Sequence, residues 1–152
     1  RACLLLVNKW DLREGDALAR QKFEKDLKRR FPFFAWAPVL FGAAVKPDSL
    51  DRLFPLIDEV FTSFSTRIPT GQLNQFLQDT LEVHPLPSRK GKPEQVTKSA
   101  FITQVAVQPP VFALFVGHPE NITKAYLRFL ENQIRKTYGF SGAPLRLLVR
   151  KK

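Results

Sequence analysis

The sequence predicts an α/β chain in two parts: the closing portion of a doubly wound sheet, in the order β-α-β-α, followed by an α+β unit in the order α-β-β-α-β. Three observations carry this. Leu4-Leu5-Leu6-Val7 is continuously apolar and breaks off into Asn8-Lys9-Trp10-Asp11, as a parallel strand covered on both faces does at its carboxyl end. Strand-like and helix-like apolar patterns then alternate as far as Phe64, the order that builds a parallel sheet. Beyond a boundary at residues 65–70 both pattern and charge change. Residues 1–66 carry eleven Lys or Arg against nine Asp or Glu, and residues 67–152 thirteen against five, so the formal charge of +10 divides into +2 and +8.

Taken in order, residues 3–7 form the first strand, and after a turn at Gly15-Asp16 residues 17–31 form a helix with Leu18, Phe23 and Leu27 facing inward, stopped before Pro32. Residues 39–41 (VLF) are the second strand. Pro47-Asp48-Ser49 leads into a helix from Leu50, with Leu53, Phe54, Ile57, Val60, Phe61 and Phe64 on one face. In the second part Leu73, Phe76, Leu77 and Leu81 mark a helix from Thr70, with Thr70 itself as the cap. The proline-rich, basic stretch 84–93 is a loop. Residues 100–107 and 111–116 are strands split by Gln108-Pro109-Pro110, a helix starts at Asn121, and residues 144–149 are a final strand before the basic tail Arg150-Lys151-Lys152. No internal repeat is visible.

Composition narrows the class. Apolar residues make up 44% and charged residues 25% of the 152, values of a globular protein, and no apolar run is long enough to cross a bilayer. The start lacks the order of a signal peptide, and Cys3, the single cysteine, has no intrachain partner for a disulfide, which fits a reducing, cytoplasmic setting. With no methionine even at its start, the chain reads as a fragment of a longer protein. His84 and His118 each precede proline with no metal-binding set around them, so no metal is expected, and no nucleophile-elbow string supports a hydrolase triad.

The chemistry sits in Asn8-Lys9-Trp10-Asp11. A carboxylate at the mouth of a strand can accept parallel hydrogen bonds from the ring N–H and exocyclic amino group on one edge of guanine; adenine offers no such pair. Asp11 is placed for that role, Asn8 for holding the base or bracing a neighbouring loop, and the Lys9 stem for covering the purine face. Discrimination of this kind is worth roughly 1–3 kcal/mol per buried group. One helix and one strand later, Phe41-Gly42-Ala43-Ala44 supplies a small-residue loop in which the Ala43 backbone N–H can reach the base oxygen. The bland alternative is an Asn/Asp turn after a strand. Trp10 and Trp36 read as packing residues.

The segments LLLVNKWDL, FGAA, QPPVFALFVGHP and YLRFLENQIRKTYGFSGAPLRLLVRKK together resemble the bacterial EngA (Der) family, GTPases with two G domains and a C-terminal KH-like domain. The resemblance implies that residues 1–66 are the end of a P-loop GTPase-type domain and residues 67–152 the KH-like domain. It implies a protein that binds and hydrolyses GTP with Mg2+ when intact, acts in large ribosomal subunit biogenesis, and has as partners guanine nucleotide, the large subunit or its rRNA, and its own upstream G domains. Gly42 stands where the family usually has serine. None of the seven glycines belongs to a G-x-x-x-x-G-K-[ST] string, so the phosphate cradle, the switch threonine and the magnesium ligands are placed by the resemblance upstream of Arg1, and no catalytic residue is expected here.

The basic half suggests RNA contact. Arg89, Lys90, Lys92 and Lys98 surround the long loop, and Arg146 and Arg150, with Lys151 and Lys152, extend the last strand; if they converge, binding is salt-sensitive and weakly sequence-selective. Lys124, Arg128 and Arg135 on the intervening helix face either RNA or the preceding domain. Gly139-Phe140-Ser141-Gly142 matches the KH string GXXG, yet it lies between a helix and a strand, where a helix-ending glycine and a turn explain it. Two rival readings remain: a non-enzymatic RNA-binding or scaffold module, and a fragment of an Era-type GTPase with a single G domain.

Overall fold

The computed structural model describes residues 1–13, 17–87 and 100–152. It is a mixed α/β chain with two small sheets, dividing into two compact units: Arg1–Phe64 with Phe140–Pro144, and Ser65–Gly139 with Leu145–Lys152. No helix among the described residues is long and apolar enough to cross a membrane.

In the first unit, β1 (Leu5–Val7) pairs in parallel with β2 (Val39–Phe41), Val7 opposite Phe41, joined through α1 (Ala17–Arg30). The expected strand at 3–7 is thus shorter by two residues. The cause lies far along the chain: the Cys3 N–H donates to the Gly142 carbonyl at 2.8 Å, which draws this end of the chain out of the ladder. Nor is β1 covered on both faces, since Leu6 is exposed. Trp10 is buried against Phe23 and Phe41 in edge-to-face contacts at 5.4 and 4.5 Å, and this aromatic knot ties α1 to the sheet. Leu18, expected inward, is exposed.

A short 3-10 turn, Pro47–Leu50, precedes α2 (Leu53–Ser65), so that helix begins three residues later than its periodicity suggests. Its apolar stripe is wider than the surface available to bury it. Val60 is buried, whereas Phe54, Ile57 and Phe61 are exposed. Gly142, in the returning segment Phe140–Pro144, holds φ +70°, and a Cβ there would collide with both Val60 methyls and lie 2.9 Å from the Cys3 carbonyl. Its own N–H donates to the Trp36 carbonyl at 3.1 Å. Only glycine tolerates this close approach in the left-handed region.

In the second unit, α3 (Thr70–Val83) precedes a three-stranded sheet of β3 (Phe101–Ala106), β4 (Val111–Val116) and β5 (Arg146–Lys151), with α4 (Lys124–Tyr138) between the last two strands. The order is β3-β4-β5, the first pair antiparallel and the second parallel. Leu73, Leu77 and Leu81 of α3 and Leu130 and Ile134 of α4 are fully buried, as are Ile102, Phe112 and Leu114 of the sheet. Tyr138 Oη donates to the Gln72 carbonyl at 3.1 Å and Tyr126 Oη to that of His84 at 2.9 Å, fixing α4 beside α3. The outer edge of β3 is closed by Asn74, whose amide donates to the Ile102 carbonyl at 3.1 Å and accepts the Ile102 N–H at 3.0 Å, standing in for a strand.

Several boundaries differ from expectation for identifiable reasons. Thr70 is the first helical residue, not the cap: Pro69 takes the cap position and the Thr70 hydroxyl meets that of Thr103 instead. The helix expected at Asn121 starts at Lys124, because Pro119 opens a 3-10 turn and Thr123 then caps α4 by accepting the Tyr126 N–H at 3.2 Å. The final strand extends through Arg150 and Lys151, the supposed tail, because its parallel register with β4 continues to Val116.

Candidate functional site

The site is built at the carboxyl ends of β1 and β2, where open parallel sheets present their loops to ligands. Because Val7 and Phe41 are register partners, the stretches beginning at Asn8 and Gly42 start side by side. Two hydrogen bonds latch them. The Asn8 Oδ1 accepts the Ala44 N–H at 3.1 Å, and the Trp10 N–H donates to the Gly42 carbonyl at 3.1 Å. The same Asn8 oxygen accepts the Lys9 N–H at 2.8 Å, beside a Lys9 backbone in the left-handed region, φ 57° and ψ 33°.

That left-handed residue turns the chain into the short helical turn Trp10–Leu12, closed by Leu12 N–H to Lys9 O at 3.2 Å and Arg13 N–H to Trp10 O at 3.1 Å. The buried indole anchors the turn from below, and Lys9 and Asp11, its neighbours in sequence, are exposed. An acidic and a basic side chain therefore flank a fixed aromatic pivot. In the facing loop Ala43 is buried and its carbonyl accepts the Lys46 N–H at 2.8 Å. Gly42 lacks a serine hydroxyl, yet its backbone is engaged on both sides, its N–H donating to Val7 O at 3.1 Å and its carbonyl held by Trp10.

The four residues expected from sequence, Asn8, Lys9, Asp11 and Ala43, thus lie in two adjoining, mutually bonded loops. Sequence reasoning missed two others. Ala44 receives the Asn8 bond, and the Arg13 guanidinium lies over the rings of Trp10 at 5.7 Å and Phe23 at 5.2 Å, capping the aromatic knot. The Arg13 position has a sequence cue, a cation three residues after a buried Trp; the Ala44 contact has none.

The basic residues divide differently. Arg146 and Arg150 are exposed on β5, while Arg89, Lys90, Lys92 and Lys98 lie outside the described residues. Lys124 and Arg128 are exposed on α4, and Arg135 is half-buried. Burial lowers the Arg135 pKa and Glu131 opposes the shift; burial raises the Glu131 carboxyl, with Arg135, the Leu147 N–H and Arg128 opposing. Arg135 is therefore part of an electrostatic pair along its own helix. Gly139 ends α4 with φ 87° and donates its N–H to the Arg135 carbonyl at 2.8 Å, a helix terminus rather than a helix-to-helix clamp. Among the described residues no three His, Cys, Asp or Glu side chains are grouped to hold a metal ion.

A family model described as the C-terminal KH-domain-like region of EngA bacterial GTPase enzymes matches residues 67–150. Across its whole length the chain is 37% identical to a protein named GTPase Der from Desulforudis audaxviator, 38% to one from Streptococcus pneumoniae and 40% to one from Streptococcus uberis. It spans 34% of the length of each of these relatives.

Proposed function

The chain belongs to the EngA family of bacterial GTPases, and from that premise we propose that it is the C-terminal part of a cytoplasmic GTPase acting in assembly of the large ribosomal subunit. In this reading residues 1–66 are the guanine-specifying end of a G domain and residues 67–152 a KH-like domain that contacts rRNA.

The observation that carries the proposal is the latch between the two loops, Asn8 Oδ1 to Ala44 N–H. It supports a division of labour in which Asn8 braces and its neighbours read. Asp11 accepts the two guanine donors, the Lys9 stem covers the purine, and the Ala43 backbone N–H meets the base oxygen. Preorganisation is the physical point. A carboxylate on a turn pinned by a buried Trp loses little further freedom on binding, so its hydrogen bonds discriminate rather than order the loop.

Among the described residues no three His, Cys, Asp or Glu side chains are grouped to hold magnesium. The absence of a G-x-x-x-x-G-K-[ST] string leaves the phosphates without a cradle, so the reading makes this chain alone inactive in hydrolysis. Exposed Leu6, Phe54, Ile57 and Phe61 support the companion reading, that upstream segments of the G domain cover these side chains in the longer protein.

Ribosome affinity tests the proposal. The intact protein should bind large subunits differently in its GTP-bound and GDP-bound states, and Arg146→Ala with Arg150→Ala should weaken that binding; equal affinities in both states would contradict the regulatory role. Titration of this chain alone with GTP should show nothing tighter than the millimolar range, and micromolar binding would contradict the assignment of the phosphate site elsewhere.

A further inference from the structure

The two faces of the second unit's sheet are unequal. Strand alternation puts Ile102, Phe112, Leu114 and Leu147, all buried, on one face. On the other, register aligns Phe101, Phe115 and Arg150 in one row across the three strands, Thr103, Ala113 and Leu148 in the next, and Val111 with Arg146 in the third. The Phe101 and Phe115 rings are stacked with parallel planes and centroids 4.4 Å apart. Neither ring is fully buried, Leu148 is 39% exposed and both arginines are exposed, while Ala113 in the middle row is buried. These rows contain no carboxylate.

We propose that this face binds single-stranded RNA, an unpaired base stacking against the Phe101–Phe115 pair while Arg150, in the same row, and Arg146, two rows away, hold phosphates of the strand. The proposal rests on the RNA-binding reading above and deepens it by naming the face and the mode. The argument is one of complementarity. A stacked aromatic pair offers a π-face that every base can use, and sequence-tolerant stacking beside a cationic backbone track is how unpaired strands are held. Arg150 stands next to Phe115 in register, which puts a cation in the same row as the stacked rings. Arg146 and Arg150 are four positions apart with three residues between them, about 13 Å at the usual rise, which sets the two cations apart along the path of one strand. A polyanion also fits the surplus of +8 in residues 67–152, whereas a duplex would bring its phosphates but no free base faces.

The test uses the full chain and a short oligoribouridylate carrying one 2-aminopurine, whose fluorescence is quenched by stacking. Wild-type chain should bind and quench. Phe115→Leu keeps an apolar cross-strand contact and should weaken binding about tenfold, lose the quench, and leave the slope against salt unchanged because the phosphate contacts remain. Leu148→Glu, at a position already exposed, should abolish binding without unfolding the sheet; Asn132→Glu, on the exposed side of α4, should leave it nearly unchanged. If the wild-type chain fails to bind, the RNA reading itself falls and this inference with it. If it binds and Phe115→Leu and Leu148→Glu bind and quench alike, the RNA reading stands, the face belongs to another partner such as a protein, and the inference is overturned.

Discussion

The side-chain oxygen of Asn8 accepts the backbone N–H of Ala44 at 3.1 Å, joining residues 36 positions apart in the sequence. With the Trp10 N–H to Gly42 carbonyl bond, it joins the loop after β1 to the loop after β2 in one rim, on which Asp11 is exposed. Removing the Asn8 amide should therefore act on both loops at once. Asn8→Ala is expected to cost about 1 kcal/mol of stability and to lower guanine-nucleotide affinity of the intact protein roughly tenfold with the fold retained. Fluorescent-nucleotide titration beside urea unfolding checks this; unchanged affinity would show that the latch does not set the site.

Gly142 makes a second, independent prediction. Gly142→Ala forces a Cβ against Val60 and the Cys3 carbonyl in the left-handed region, and should destabilise the first unit by about 2–4 kcal/mol. Adding Val60→Ala should relieve part of that loss but not the backbone strain. Urea melts of the two single variants and the double variant measure the coupling, and strict additivity would mean that the two side chains do not meet.

Among the described residues of the second unit Gln104 is the buried polar side chain, its Oε1 accepting the Ile68 N–H at 2.8 Å and its Nε2 donating to the Thr66 carbonyl at 3.0 Å. Gln104→Leu fills the space but strands the Ile68 N–H, and should cost about 1–3 kcal/mol. A melting temperature equal to wild type would show that the chain entering α3 is held by something else.

Glu131 sets a pH dependence. Burial raises its carboxyl above the usual 4.5 in the folded chain, so its contribution to stability is present below that ordinary value and is lost as pH rises through the raised folded value. The stability difference between wild type and Glu131→Gln should accordingly fall across the mildly acid range and then level off. Urea midpoints from about pH 3.5 to about pH 7 measure it; a difference that grows with pH would reverse the sign and place Glu131 in a stabilising ion pair.

How much was legible follows from which interactions are local. Every α-helix and β-strand among the described residues existed in the periodicity, because apolar spacing reports burial directly, but the 3-10 turns and the ends of the elements did not. The first strand lost Cys3 because Gly142, far along the chain, takes its N–H, and the last strand gained Arg150 and Lys151 because backbone pairing with β4 is indifferent to side-chain charge. On α2 the whole apolar stripe was visible, but not that Val60 alone of it is buried. The site behaved the same way. Asn8, Lys9 and Asp11 announce themselves as a contiguous string, while the Asn8–Ala44 bond depends on a register that no short string encodes.

The most direct measurement is nucleotide selection by the intact protein carrying Asp11→Asn. An amide in place of the carboxylate offers a donor where guanine also donates and where xanthine presents an oxygen, so the variant should lose preference for GTP and take xanthosine triphosphate at least tenfold better than wild type does, a shift of about 1.4 kcal/mol. Retention of the original GTP preference, with no gain for xanthosine triphosphate, would contradict the reading of Asp11 as the base-selecting residue and with it the account of these two loops.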